Sequence, residues 1–254
     1  MTAWIVRAAQ AADLPAVASL TALHGPSRSS GRGHEQLLVA QHRSTARIDA
    51  ALRLQSHIGL VLPRYWYHVG CTVHAAPALQ LFHRQATLLL GNDHTGASEL
   101  ADLAWRDAGL APADQAAALR ALVTAALTLA AQHGATAGAG SAGVVIELPG
   151  MLDAAGQSPF WHGLGRHFYS GDPADAEARH GADWPSHVAA LLPRHPVLVA
   201  FLPEPARAAI GGVADRVAWL PALLRTCGLR YSHHVRVHDG GPVLQTDLDE
   251  PQPS

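Results

Sequence analysis

Apolar positions along the chain switch between a period of about two and a period of about 3.6, and the switches mark out the elements. Ile5-Val6-Arg7-Ala8-Ala9-Gln10 opens as a short strand, and Asp13 is placed to cap a helix in which Leu14, Val17, Ala18 and Leu20 recur at helical spacing. A Pro, Ser, Arg and Gly mixture from Gly25 to Gly33 marks a loop, and the stretch from Gln36 to Leu54 is expected to form a second helix. Aromatic and β-branched residues then dominate Tyr65 to His74, which predicts a strand, as does Ala86-Thr87-Leu88-Leu89-Leu90. The turn Gly91 to Gly96 and the apolar segment Glu99–Ala104 follow.

Asp114 to Gln132 is the clearest helix, rich in Ala and Leu and nearly uncharged, so it must be buried over most of its surface. Val144 to Leu148 predicts a buried strand. Short helices are expected at Phe160–Gly165, His187–Leu192, Ala206–Val213 and Leu220–Thr226, the last ending at Gly228 as a C-cap. Strands at Leu229–His238 and Val243–Leu248 flank the turn Asp239-Gly240-Gly241-Pro242, which is expected to be structural. Glu250 to Ser254 is a polar tail expected to fray. Strands and helices interleave with no repeat and no long linker. The expected architecture is one α/β (α+β) domain over residues 1–249, with a mixed central sheet flanked by helices.

Composition narrows the function classes. All 18 basic residues are Arg, the net charge is -2, and no electrostatic case exists for nucleic acid or an anionic membrane as partner. Cys71 and Cys227 cannot form a disulfide framework or a four-thiolate zinc site and are expected to be buried fillers. The amino terminus lacks the basic-then-apolar layout of a signal peptide, and no apolar run approaches the ~20 residues that span a bilayer, so a soluble cytoplasmic protein is expected. Seventeen histidines include the dense group His233, His234 and His238 beside Asp239. On a strand His234 and His238 share one face and His233 takes the other, and no metal site is expected there.

Several collinear stretches resemble the arginine N-succinyltransferases of the GNAT-like acyl-CoA N-acyltransferase superfamily. They are Tyr65-Trp66-Tyr67, Val69-Gly70 and Val73-His74-Ala75, then Gly91 through Leu100, then Gly156 to Trp161 with Leu164-Gly165, Leu192 to Pro196, and finally Gly228 to Tyr231 with His238 to Pro242. The resemblance implies a GNAT-like fold and transfer of a succinyl group from succinyl-CoA, a co-substrate rather than a bound cofactor, to the α-amine of arginine or ornithine. It implies that Leu103, on the strand after the Asn-Asp-His-Thr-Gly turn, contacts succinyl-CoA mainly through its main chain. Asn92, Asp93, Glu99, Ser158 and Trp161 become candidates for substrate binding, and His94 a candidate catalytic residue. Two-subunit forms of such enzymes imply a homo- or hetero-oligomer with a related subunit.

Three departures from the family pattern bear on catalysis. In Ile210-Gly211-Gly212-Val213-Ala214 the family's catalytic His position holds Ala214, which can neither give nor take a proton, so no catalytic residue is assigned. The helix that would meet the CoA pyrophosphate opens with Gly109-Leu110-Ala111-Pro112-Ala113-Asp114, where Asp114 can serve as an N-cap but sets a negative charge beside phosphate. The region before Tyr65 is expected to lack most of a central hairpin, leaving Ile58 to Leu62 as strand. For His94 the alternative is an exposed residue in an Asx-type turn, and for Ser158 and Trp161 a helix start with core packing. Two readings follow: an active amino-acid N-acyltransferase, or a catalytically lapsed homologue acting as a partner subunit or ligand-binding module.

Overall fold

A computed structural model describes residues 3–24, 34–137, 143–181 and 183–246, so the expected loop at 25–33 and the tail at 250–254 lie outside the described residues. In chain order the strands and helices are β1 (Trp4–Ala8), α1 (Leu14–Ala18), β2 (Thr21–Ala22), β3 (Glu35–His42), β4 (Ile48–Gln55), β5 (Trp66–Ala76), β6 (Leu81–Gly91), β7 (Ser98–Trp105), α2 (Pro112–Ala137) and β8 (Val144–Glu147). They continue with α3 (Pro159–Gly163), α4 (Pro173–His180), α5 (Trp184–Val188), β9 (Val197–Leu198), α6 (Glu204–Ala209), α7 (Leu220–Thr226), β10 (Arg230–Arg236) and β11 (Pro242–Thr246). The strands form one 11-stranded sheet in the order β1-β3-β4-β7-β8-β11-β10-β5-β6-β9, with β2 paired to β7. Among the described strands only β7 and β8 run parallel, which makes the sheet mixed as expected.

The main core lies where α2 and α7 pack on one face of the sheet. Leu119, Leu122, Val123 and Leu127 of α2 meet Leu52, Leu54, Leu100, Leu103 and Ile146 from the strands, all essentially inaccessible. Leu20, Val39, Ile48, Ala51 and Ala104 form a smaller cluster on which α1 packs. Beyond β11, the sheet carries a further cluster of Tyr67, Leu88, Phe160, Leu202 and Val235. No helix among the described residues is long and apolar enough to cross a membrane.

The expected helix over Gln36 to Leu54 is a β-hairpin, β3 and β4, which pairs from Glu35↔Gln55 to Gln41↔Ile48 and turns through Arg43 to Thr45. Strand is therefore supplied by this hairpin before Tyr65, and Ile58 to Leu62 is a loop. These strands are covered on both faces: Leu38, Ala50 and Leu52 enter the main core while Val39 and Ala51 enter the smaller one. Burial on both faces removes the polar alternation that identifies a strand, and tertiary pairing overrides the helical leaning of Leu, Ala and Gln.

Smaller corrections concern caps and ends. Asp13 has helical dihedrals and no capping bond into α1; its carboxylate instead takes the Gln10 N–H at 2.7 Å and pairs with Arg7. Asp114 lies inside the first turn of a helix that begins at Pro112, so it is not the N-cap. The helix expected at His187–Leu192 ends by Val188, that at Ala206–Val213 ends at Ala209, and α4 carried no apolar period to announce it. Cys71 is exposed, while Cys227 is buried as expected. The Asp239 turn is structural: its carboxylate accepts the N–H groups of Gly150 at 2.9 Å and Gly241 at 3.0 Å.

Candidate functional site

A cavity of about 220 Å³ opens where the C-terminal ends of β4, β8 and β10 meet the loop from His57 to Tyr65 and the start of α5. Glu99 and Ala101 of β7, Glu147 of β8 and Arg236 of β10 supply its floor, and His238 and Trp184 its wall. Glu177 and Asp183 also line it, so four carboxylates face two guanidiniums, Arg64 and Arg236. Glu177 and Asp183 are only partly buried, whereas Glu99 and Glu147 are paired with the guanidiniums.

The charges are held in a chain. Arg64 forks onto Glu99, with one contact at 3.0 Å and a second, shorter one, and its Nη2 also donates to Glu147 at 2.7 Å. The Trp66 indole N–H donates to the same Glu147 oxygen at 2.7 Å. Arg236 pairs with the other Glu147 oxygen at 3.5 Å and with Asp239 at 3.4 Å. Burial works against ionisation of Glu147, yet Arg64 and Arg236 outweigh it and hold its pKa at about 2. Burial also opposes the charge on Arg64, and again its two carboxylate partners prevail and raise its pKa.

His238 is neutral at ordinary pH, its pKa brought to about 4 by burial and then by the neighbouring Arg236. Because a guanidinium only donates, the close contact from Arg236 fixes His238 Nε2 as acceptor and puts the proton on Nδ1. That Nδ1–H is buried with no hydrogen-bond partner. An unpaired buried donor is costly.

Next to the cavity, β7 is interrupted. Arg53 of β4 pairs with Ala101 and Ala51 with Ala104, so Asp102 and Leu103 together oppose a single residue, a β-bulge. Asp102 sits at φ 52 and is held there by Arg53 at 2.8 Å. β8 pairs with β7 only at Ser98↔Val144 and Glu99↔Val145, so the two strands part before the bulge. The Leu103 side chain is fully buried in the main core, which leaves only its main chain on the strand edge.

Of the candidate catalytic and binding residues named from sequence, Glu99 alone lines the cavity, joined there by His238 of the histidine group. His94 is not exposed but 3% accessible, its ring edge-on to Trp66 at 5.0 Å and to His234 at 4.4 Å. Burial, followed by His234, lowers its pKa to about 4, and its Nε2 has no partner. Asn92 and Asp93 are exposed; Asn92 O accepts the Thr95 N–H at 2.9 Å, and Asp93 approaches His234 at 3.3 Å. Ser158 caps α3 by accepting the Trp161 N–H at 3.1 Å, and Trp161 packs at 5.8 Å on Trp184 of the cavity wall. Ala214 is 8% exposed in the main core and its N–H goes to Pro149 O at 2.9 Å. Asp114 is exposed at the start of α2.

His233 takes φ 60 at a bulge between Tyr231 and His234, so β10 is not the regular strand on which the facing of its histidines was argued. Among the described residues no three His, Cys, Asp or Glu side chains form a group that could hold a metal ion. Arg64, Glu147 and Arg236 are charged residues that sequence reasoning missed, and His238 was weighed only as a metal ligand. The one local signal was a carboxylate, Glu147, closing the apolar run Val144-Val145-Ile146.

The family model for the arginine N-succinyltransferase beta subunit matches residues 17–252. The arginine N-succinyltransferase of Salmonella arizonae is 35% identical over 217 residues, which is 84% of this chain and 60% of that protein. Those of Salmonella newport and Salmonella dublin match to the same extent. The chain thus spans about 60% of the length of these curated relatives. The solved arginine/ornithine succinyltransferase subunit AI from Pseudomonas aeruginosa shares the fold, with a TM-score of 0.71 at 23% identity over 98% of this chain and 78% of that one.

Proposed function

The chain belongs to the arginine N-succinyltransferase family, and we propose that it transfers a succinyl group from succinyl-CoA to the α-amine of arginine or ornithine in arginine catabolism. The observation that carries the reading is the electronegative cavity against the bulged strand. A lining with more carboxylates than guanidiniums suits the cationic side chain of a dibasic amino acid. In the reaction the amine nitrogen bonds to the thioester carbonyl carbon, the carbon–sulfur bond breaks, and the proton lost by nitrogen ends on the CoA thiol.

Within this reading Glu99 is a direct ligand of the acceptor, and Leu103 meets the acyl donor through its main chain. Trp161 acts through Trp184, and Ser158 through the cap that places Trp161. His94 packs on Trp66, which holds Glu147, Asp93 reaches His94 through His234, and Asn92 shapes the turn that carries them. Ala214 contributes no proton chemistry. The protein works in the cytoplasm as one domain, without a bound metal or cofactor, and in an oligomer of like or related subunits.

Release of free CoA, followed with a thiol reagent, tests the reading. Succinyl-CoA with arginine or ornithine is expected to release thiol faster than either substrate alone. Folded protein that gives no acceleration with either amine would overturn it.

A further inference from the structure

We propose that Thr21–His24 is a strap that closes the donor side of the site and has to leave it before an acyl-CoA thioester can bind. The inference rests on the reading of Leu103 as a donor contact. Where β8 parts from β7, the edge of β7 from Leu103 to Trp105 is not left bare. Trp105 pairs with Ala50 of β4 on one side and with Thr21 on the other, and Ala104 likewise pairs with Ala51 and Ala22. The strap therefore fills the wedge between the two diverging strands. Leu23 donates its N–H to Leu103 O at 2.8 Å, part of the main chain read as the donor contact.

Three further contacts hold the strap. Leu23 is 1% exposed in the main core, and its carbonyl accepts a close contact from Arg216. The ring of His24 crosses to β8, where Nε2 donates to Glu147 O at 2.8 Å and Nδ1 accepts from Arg236 at 2.9 Å. Both strands of the wedge are thus tied by the same four residues, and one tie runs to the arginine that contacts His238. The pantetheine arm of CoA carries two amides, so it competes for a strand edge with the same chemistry as a peptide. A ligand that needs the open wedge binds more weakly by the fraction of time the wedge is open.

Free CoA is the probe, titrated calorimetrically into the intact chain, His24→Ala and Leu23→Ala/His24→Ala, with hydrogen exchange at the Leu23 amide as a second readout. His24 is an exposed residue, so the single variant keeps the core intact if the double variant fails to fold. The expected result is at least ~10-fold tighter CoA binding by His24→Ala, the low end of a population shift, together with faster Leu23 exchange when CoA binds the intact chain. CoA binding equally to both proteins, with Leu23 still protected, overturns the strap and leaves the donor reading standing. No CoA binding by any of the folded proteins overturns the donor reading and the strap with it.

Discussion

Arg64 is the residue whose removal should do most damage for a stated reason. Its guanidinium separates Glu99 and Glu147, which accept from the same Nη2 at 3.0 and 2.7 Å, and the side chains are 28%, 9% and 15% exposed. Arg64→Met leaves two carboxylates roughly 5 Å apart, worth about 3 kcal/mol of repulsion at an effective dielectric of about 20. Taking one partner from a buried ion pair costs about 3–5 kcal/mol, and partial exposure places this cluster near 3. For a domain of this size that is about 6–12 °C in Tm. The pH dependence is the sharper test. In the intact protein Glu147 is held at about 2, below its ordinary 4.5, so its ionised form stabilises the fold above that ordinary value and the gain is lost as pH falls toward 2. Without Arg64 the sign reverses: mutual repulsion raises a carboxyl pKa, and stability falls as pH rises through the raised value. Urea unfolding near pH 7.5 and near pH 5 measures this, and the deficit of the variant should shrink at the lower pH, where one carboxyl is protonated. Arg64→Met/Glu99→Gln should recover much of the loss. A deficit below about 1 kcal/mol, or one independent of pH, would refute the account of the cluster.

Other expectations follow from the same geometry. Ala214→His forces an imidazole into the main core and should cost about 1–3 kcal/mol in urea unfolding without raising succinyl transfer; a tenfold rise would return the catalytic centre to that position. His94 and His238 have pKa values near 4, below the ordinary 6.5, so the unfolded chain takes up protons that the fold refuses. Stability present above pH 6.5 should therefore decline toward pH 4, and His94→Phe should flatten that slope in an acid titration of Tm; an unchanged slope would exclude His94 as a contributor. At Gly150 a Cβ would stand 2.2 Å from Asp239 O, so Gly150→Ala should lose at least about 2 kcal/mol by denaturant melt, whereas a loss under about 0.5 would show the Asp239 turn yielding.

Much of the fold was legible because its elements carry strong local signals. The α2 helix is dominated by Ala and Leu, β5 is rich in aromatic, Thr and Val positions, and Gly228, at φ 91, closes α7. The β3–β4 hairpin was not legible, because strands buried on both faces show no alternation, and their Leu, Ala, Gln and Arg content favours a helix in isolation. Neither was α4, whose sequence Pro-Ala-Asp-Ala-Glu-Ala-Arg-His has a single buried position, Ala176.

The candidate site was less legible than the fold, and the reason is topological. Glu99 could be found because it lies in the motif-bearing segment that leads into β7. Arg64, Glu147 and Arg236 each stand alone in their local sequence, one in a loop and two at strand ends, and no spacing rule relates them. What joins them is the sheet order, which places β8, β11, β10 and β5 side by side although β5 precedes β8 by a long stretch of chain. Once they are joined, each has partners: both guanidiniums favour the charged form of Glu147, and Arg236 pairs with Glu147 and Asp239. The strap was invisible for a different reason. A two-residue strand has no period to detect, and Leu23 and His24 acquire meaning only from the gap between β7 and β8, which the parallel pairing at Ser98 and Glu99 begins and then abandons. Residues that complete another element's unpaired edge carry the signature of that element rather than their own, so in this fold the divergence of two strands is the place to look for what fills it.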